Sequence, residues 1–469
     1  MQKKSFLFSL TLILVLFGTR GYSDLYPKEV FQGLQSLLIS YQVEVGYEDL
    51  EENEDEVLAR NLTLTPENTD SSLVFELPTL RLVRQGTNLV EVILPDTFFI
   101  LNSSEDELRS EIGQGTFPGI NRIIIEQDPE GSRFDYSIPE MEFRTQDESF
   151  ALLVLFEDIL GKVQFEDITQ ISDEGFTSTA SIGEFSGRYQ SRDGTGFAFK
   201  GINYTSNSIE KGVSTINNLG MDLPIGDYNF TVETTQVIIE LENNSTLGLL
   251  INQLSNQTNI NEDGLMMDFD TQDFVIAYEG FIQEAVAISD TDLNLSLDWS
   301  DVNEKFHLEN DISLNNVRWE SAHMEQLDPQ GEFAEEVASL QTSYKVTGNK
   351  AFFDFESTEE LNPKEIEFKL LSDWEISVFD LFSKGSGEYE YDRGKSSAES
   401  EAIVEGAEDF SDRLVAANIV PPEYAAGILA YMRILDPNST SGNSFEYMIE
   451  MDNEFEVTVN GINLGAFNP

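Results

Sequence analysis

The chain has 469 residues, no cysteine and a formal net charge of −59. A charge of this size excludes proteins that rely on clustered Lys and Arg, namely nucleic-acid binders and proteins that dock on anionic lipid head groups. The lack of cysteine excludes disulfide frameworks and lipid-modified cysteines, and it nearly excludes a zinc site built from His and Cys. Hydrophobic residues still make up 40% of the chain, so the sequence predicts a folded protein with a real core.

The N-terminus has the features of a removable export signal. Two lysines precede an apolar run from Phe6 to Phe17, and Gly21 and Ser23 supply the small side chains that a signal peptidase recognises. The run is shorter than the roughly 20 residues that span a bilayer, so a signal is favoured over a membrane anchor. We predict cleavage after Ser23, a periplasmic location and no transmembrane segment in the mature chain. Cleavage removes three positive charges and no acid, so the charge of −59 becomes −62.

The mature chain is predicted to begin with a helix and to continue with strands. Pro27 stands near the first turn of the helix, and Val30, Leu34, Leu38 and Tyr41 lie on one face at helical spacing. Alternation of apolar and polar residues then predicts strands. These cover residues 41–47, 58–64, 73–82, 89–94, 122–126, 134–143, 152–156, 164–171, 194–204 and 228–241.

Helical spacing returns three times in the middle of the chain. It predicts short helices at Ile209–Ile216, at Leu247–Leu254 and through Phe333, Val337 and Leu340. Strands are predicted around them, at residues 274–282, 293–299 and 306–314.

The C-terminal part is predicted to contain two amphipathic helices and two strands. The first helix carries Phe410, Leu414 and Ala417, and the second follows two prolines. Residues 445–451 and 455–459 then alternate with period two.

Strands outnumber helices, and the helices occur singly between groups of strands, which disfavours a parallel sheet. We therefore predict a mainly β (α+β) fold, in which antiparallel meander sheets have a few amphipathic helices packed against them. The mature length exceeds what one core usually holds, so two β-rich halves are predicted, residues 24–245 and 246–469. The second half is expected to end in the helix pair and two strands.

The sequence offers little for catalysis. The two histidines, His307 and His323, are not accompanied by a Gly-x-Ser-x-Gly motif, and His307 lies on the polar face of a predicted strand. No phosphate-binding or dinucleotide-binding glycine motif is present. The 86 acidic residues prevent any carboxylate pair from being singled out by eye. We predict no catalytic residue and no cofactor.

One segment imitates the ligand spacing of a calcium loop. Asn259, Asn261 and Asp263 alternate before Gly264, and Asp270 stands at the twelfth position. The first ligand is Asn instead of Asp, and the last is Asp instead of the longer Glu. We therefore favour a polar turn between a helix and a strand over a calcium site, and we predict no metal.

The second C-terminal helix carries an apolar stripe. Tyr424, Ile428 and Tyr431 recur at i, i+4 and i+7, so they share one side of the helix. Such a stripe usually packs a core. The alternative is that these three residues line a groove between the helix and the sheet that holds an apolar ligand.

Three segments resemble one protein family. These are the N-terminal helix that enters a strand led by Tyr41, the segment Leu414–Pro421 with the sequence LVAANIVP, and the segment Val459–Leu464 with the sequence VNGINL. In these segments the chain resembles the uncharacterised exported proteins of alphaproteobacteria, which have only a domain-of-unknown-function label. The resemblance implies a periplasmic, β-rich protein. It defines no catalytic residues, and the chain departs from the family in being more acidic and richer in Phe.

These observations favour a non-enzymatic periplasmic protein of the cell envelope that acts as a binding or scaffold module. A lipid or protein of the envelope is the expected partner. One alternative is a carrier of lipid or another apolar ligand, and another is a hydrolase that uses carboxylates alone.

Overall fold

The structure is a computed structural model. It describes residues 25–40, 43–66, 73–103, 109–128, 131–146, 150–165, 175–192, 195–216, 223–241, 245–279, 283–298, 305–321, 337–349, 366–417, 419–439 and 443–466. The predicted export signal, Tyr41, His323 and Phe333 lie outside these ranges.

The chain divides into two compact units. The first contains residues 1–215 and 224–244, and the second contains residues 216–223 and 245–469. Every strand pair described in either unit is antiparallel. The mainly β prediction is therefore confirmed.

Helix α1 (Pro27–Ser40) opens the first unit, as the sequence predicts. Its buried side contains Val30, Phe31, Leu34 and Leu38, which join the main core of this unit. Proline suits the first turn because the backbone nitrogen there needs no partner within the helix. The helix therefore covers the sheet with its apolar stripe.

Two groups of strands form the rest of the first unit. In the first group the pairing is often out of chain order, since β1 pairs with β3, β4 with β6, β5 with β8 and β7 with β9. From β9 to β12 each strand pairs with the next. The strands are β1 (Val43–Gly46), β2 (Asp49–Glu52), β3 (Glu56–Pro66), β4 (Leu73–Arg84), β5 (Leu89–Ile93), β6 (Thr97–Ser103), β7 (Arg109–Thr116), β8 (Arg122–Asp128), β9 (Gly131–Gln146), β10 (Phe150–Phe165), β11 (Phe176–Ser191), β12 (Gly196–Ile216) and β13 (Leu223–Glu240).

The second unit is a meander with a helix pair near its end. Each strand from β14 to β21 pairs with the next one along the chain. Its elements are β14 (Thr246–Ile260), β15 (Gly264–Glu279), β16 (Gln283–Asp298), β17 (Lys305–Ser321), β18 (Ala338–Asn349), β19 (Glu367–Val378), β20 (Leu381–Asp392), β21 (Lys395–Glu405), α2 (Ala407–Ala416), α3 (Pro422–Leu435), β22 (Ser444–Met451), β23 (Glu456–Val459) and β24 (Ile462–Ala466).

Helices α2 and α3 form where the spacing predicts them, but three strands follow them instead of the two expected. The short β24 pairs with β23.

The sequence prediction also missed several strands, since no alternation was recognised there. These are β2, β6, β7, β11, β19, β20 and β21.

Left-handed backbone positions interrupt several long strands. Asp158 in β10 has a φ of 53°. Before it the buried side chains include Val154 and Phe156, and after it they are Ile159 and Val163, so the alternation of side chains changes phase. A left-handed residue of this kind bends the strand and redirects the side chains that follow, and at Asp158 it does so while the register with both neighbouring strands is kept. Equivalent mid-strand positions in the second unit are Gln253, Asp273 and Asn316.

This change of phase explains one wrong prediction. The helix expected at Leu247–Leu254 is part of β14. Ile251 precedes the left-handed Gln253 and Leu254 follows it, so two residues of one sheet face stand three apart, as they would in a helix. The spacing is helical, but its cause is a bulge.

Two further helix predictions are also wrong. Ile209 lies in β12, where it is exposed and pairs with Thr177. Leu340 lies in β18 between Leu314 and Ile376 of the neighbouring strands. In both places a few apolar residues at helical spacing are outweighed by the hydrogen bonds and side-chain contacts of a wide sheet.

Aromatic rings cover glycines on neighbouring strands. A Cβ atom on Gly201 would overlap the ring of Phe185, and one on Gly187 would overlap the ring of Phe199. A ring that lies over a cross-strand glycine replaces the contacts that this residue cannot make. These glycines are therefore required by packing.

Candidate ligand-binding face

One face of the sheet in the second unit carries an unbroken row of apolar residues. Each member is the register partner of the next, from β14 to β23. Strands lie about 4.8 Å apart, so ten strands extend over roughly 43 Å. The row is Ile260, Leu265, Leu297, Leu308, Val346, Leu370, Tyr389, Ala398, Met451 and Val457.

A second row runs parallel to the first on the same side, four residues along each strand. It contains Phe269, Leu293, Ile312, Thr342, Trp374, Gly385, Ala402 and Tyr447. We call the two rows and the residues between them the apolar face. It extends across the meander from β15 to β22.

Most of the apolar face is only half-buried. In the first row Ile260 and Leu297 are buried, whereas Leu308 and Leu370 keep part of their surface in contact with solvent. A second protein layer would bury such residues almost completely. Contiguous apolar surface beyond a few hundred Å² is unusual on a soluble protein and marks a place where something binds.

The C-terminal helix pair closes one end of this face. A small buried cluster forms there from Ala407, Leu429 and Phe445, with Met432 and Tyr447 packed against it. Phe445 and Tyr447 belong to β22, so helix α3 contacts the sheet through Leu429 on the apolar face.

A few polar atoms interrupt the apolar face. The side-chain oxygens of Thr271, Thr291, Asn310 and Tyr447 are buried, and they find no hydrogen-bond partner within the described part of the chain. Burial raises the pKa of Tyr447 to about 12, and the negative charge of Asp436 adds to this effect. A buried hydroxyl without a partner costs about 1–3 kcal/mol. These oxygens therefore lie beneath the surface of the apolar face, where each adds a small cost to the fold.

The opposite face of the same sheet is acidic. A groove of about 890 Å³ lies on it and contains a single lysine, Lys384. Its lining consists of two rows of this face together with residues of the second row that lies between them in sequence, among them Ile312, Trp374 and Tyr447. The acids that line it are Asp292, Asp311, Asp373, Glu375, Glu401 and Glu446.

One acid of this groove, Asp292, lies beside an acid outside the groove. Asp270 and Asp292 are register partners on β15 and β16. A hydrogen bond that the protonated Asp292 side chain donates to the Asp270 carboxylate raises the pKa of Asp292, and partial burial and the charges of nearby aspartates, including Asp268, raise it further.

The residues of the suspected calcium loop form a hairpin. Asn261 and Asp263 lie in the turn between β14 and β15, where the Asn261 Oδ1 accepts hydrogen bonds from the backbone N–H groups of Asp263 and Gly264 at 2.8 and 3.0 Å. The Asn261 Nδ2 donates to the Asn259 Oδ1 at 2.9 Å. Asp270 is far along β15. The expected polar turn therefore joins two strands, and the idea that it follows a helix is wrong.

No group of three or more His, Cys, Asp or Glu side chains in the described ranges is arranged to hold a metal ion. His307 is exposed on β17, and its Nδ1 lies 3.1 Å from the Thr347 Oγ1.

The stripe on α3 is placed on the outside of the helix. The exposed fractions of Tyr424, Ile428 and Tyr431 are 67%, 59% and 54%. The side of α3 that packs on the sheet is formed instead by Ala425 and Leu429. The three residues therefore do not pack a core, and they do not face the sheet.

Comparison with protein-family models, with curated proteins and with solved structures found no match to this chain. Within the described residues no helix combines the length and apolar character needed to cross a membrane. The family resemblance stays a prediction, and the apolar face is the feature from which function must be argued.

Proposed function

We propose that this chain is a non-enzymatic binding protein of the cell envelope, which carries an acyl chain or a comparable apolar ligand on the apolar face of its second unit. The observation that supports the proposal is the row of ten apolar residues across ten strands, eight of which stay partly exposed while Ile260 and Leu297 are buried. A ligand that covers this row removes apolar surface from water, which contributes about 25 cal/mol per Å².

The dimensions and the chemistry of the face suit an acyl chain. The row is longer than one extended acyl chain, and its members are smooth aliphatic or aromatic side chains. We place the polar end of such a ligand near Thr271, Thr291 and Asn310, whose buried oxygens become accessible when neighbouring side chains move. A ligand with one polar end and a long apolar body satisfies both features.

The cellular setting is part of the same proposal. Export through the predicted signal brings the mature chain to the periplasm, where envelope lipids supply such ligands. The proposal also includes the finer α+β description of the fold, in which a few amphipathic helices pack against the antiparallel sheets. The alternative of a scaffold differs in that a protein partner covers the same rows.

The proposal is tested by replacing two leucines of the first row. Leu308→Asn with Leu370→Asn places polar groups under the ligand, and we expect affinity for a fluorescent fatty acid to fall by roughly tenfold or more. The matched control is Met266→Asn with Leu371→Asn, which changes exposed residues on the acidic face. The control is expected to bind as the unaltered protein does.

Stability distinguishes the outcomes of this test. An open face predicts a small change in the urea midpoint for Leu308→Asn with Leu370→Asn. A large loss of stability without any fatty-acid binding by the unaltered protein would show that the row is covered by protein and that the carrier proposal is wrong. Native mass spectrometry of the exported protein gives a second readout, the co-purified lipid.

A second candidate is the hydrolase that uses carboxylates alone. The position of Asp292 beside its register partner Asp270 favours it, because a carboxyl group with a raised pKa next to a second carboxylate can supply the acid and the base of such a reaction. Cleavage of a peptide library at acidic pH, abolished by Asp292→Asn, would support it. No cleavage by the unaltered protein would remove it.

A further inference from the structure

Helix α3 presents an outer face that is almost free of charge. This outer face consists of Tyr424, Ile428, Tyr431 and Ile434, with exposed fractions of 67%, 59%, 54% and 61%. The only charged residues of α3 are Glu423 and Arg433, and the Arg433 guanidinium lies 3.8 Å from the Glu408 carboxylate of α2. Four large apolar side chains on successive turns form a continuous patch.

The outer face is joined to the apolar face by one helix. On its other side, α3 packs Leu429 and Met432 against Phe445 and Tyr447 of β22. A molecule bound along the outer face is therefore separated from the end of the apolar face by the thickness of α3. A carrier takes up its ligand from a source that lies near an end of its binding face. Because the outer face lies beside such an end, it is well placed to contact the source of the ligand.

The net charge of the protein determines which kind of lipid surface it can bind. The mature chain has a predicted charge of −62, so an anionic lipid surface repels it. The outer face itself has no charge, and its two tyrosines combine an apolar ring with a polar hydroxyl, as residues at the boundary of a bilayer do. A zwitterionic bilayer accepts the apolar side chains without this repulsion.

We propose that the outer face of α3 docks on a zwitterionic lipid bilayer, from which the apolar face exchanges its acyl chain. This inference rests on the proposed function. The helix lies in the plane of the membrane surface and does not span it. Its apolar side chains reach about 5–10 Å into the boundary between head groups and acyl chains.

The test is flotation with vesicles of phosphatidylcholine. We expect the unaltered protein to float, and we expect Ile428→Ser with Tyr431→Ser to weaken partitioning by roughly tenfold to a hundredfold. The matched control is Ile120→Ser with Leu464→Ser, which changes exposed apolar residues elsewhere. We expect the control to float normally and added phosphatidylglycerol to weaken binding of the unaltered protein.

Fatty-acid binding in solution separates the two proposals. Ile428→Ser with Tyr431→Ser leaves the apolar face intact, so this variant should bind the fluorescent fatty acid with unchanged affinity. If the unaltered protein binds fatty acid but does not float, the docking proposal is wrong and the carrier proposal stands. Equal flotation of the variant and the unaltered protein also overturns docking. A loss of flotation only with the control pair would place the contact elsewhere.

Discussion

Both units are built from antiparallel strands with apolar side chains, and they differ in how completely these side chains are buried. In the first unit, strands that pair out of chain order and helix α1 enclose a core that includes Leu82, Ile125 and Phe134. In the second unit the strands follow one another in a meander, and its small described cluster lies at the helix pair. Apolar alternation therefore predicts that a face is apolar, and the topology decides whether that face is closed.

The difference in pairing has a geometric cause. When β5 pairs with β8 and β7 with β9, the sheet has to turn back on itself, and side chains from distant segments meet. In a meander each strand pairs with the strand before it, and no later strand comes back to pair with an earlier one. Its apolar face stays open unless another molecule covers it.

The largest expected effect is a difference in the free energy of unfolding between two leucine-to-alanine variants. Leu82→Ala removes a side chain that is 0% exposed in the first unit, and we expect it to lower the free energy of unfolding by about 3–5 kcal/mol. Leu370→Ala on the half-buried apolar face should cost about 1 kcal/mol in the ligand-free protein. Urea titration of both variants measures this. Equal losses would mean that the second unit is as closed as the first.

The next effect concerns the glycines under aromatic rings. Gly201→Ala places a methyl group where the Phe185 ring lies, and we expect a loss of about 1–3 kcal/mol, because the ring must move. Gly86→Ala is the control, since its methyl group would meet no atom within 4 Å. Thermal unfolding compares them. If Gly201→Ala is neutral, the first unit is packed more loosely than its buried core indicates.

A smaller effect, of opposite sign, is expected on helix α3. Gly427 lies inside the helix with no atom within 4 Å of an added Cβ, so Gly427→Ala should raise stability by about 0.5–1 kcal/mol through helix propensity. The expected readout is a higher midpoint in urea. A decrease would indicate that α3 is held against a neighbouring surface in solution.

The smallest effect is a pH dependence of the second unit. The pKa of Asp292 is raised in the folded state, so the folded protein binds this proton more tightly than the unfolded chain does. Its contribution therefore favours the fold at low pH and is lost as the pH rises through the folded-state pKa. Asp292→Asn should remove this part of the pH dependence of stability, as followed by melting temperature through the acidic range. Asp412→Asn, an exposed change on α2, should leave it unaltered.

Much of the secondary structure could be predicted from spacing alone. The stripe that begins at Val30 predicts α1, and the alternation from Leu293 to Leu297 predicts part of β16. Bulges could not be predicted, because Gln253 and Asp273 are ordinary strand residues until the backbone adopts a positive φ. Each bulge resets the alternation on which the prediction depends.

The candidate site was less predictable than the fold. Spacing shows that Tyr424, Ile428 and Tyr431 share one side of a helix, but it does not show which side the rest of the protein covers. The row through Leu308 and Leu370 depends on register between strands, and register is set by pairing across the sheet. A single sequence contains each member of that row without showing that they are neighbours.

The meander from β14 to β21 also has a kinetic consequence. Each of these strands finds its partner in the adjacent segment of chain, so the loop that must close is short and the entropic cost of each pairing is small. Folding can therefore advance one hairpin at a time while the chain emerges from the ribosome or from a translocation pore. In the first unit β5 must wait for β8. The second unit is expected to acquire structure in the order of its synthesis, whereas the strands of the first unit that pair out of chain order, between β4 and β9, are expected to wait for later segments.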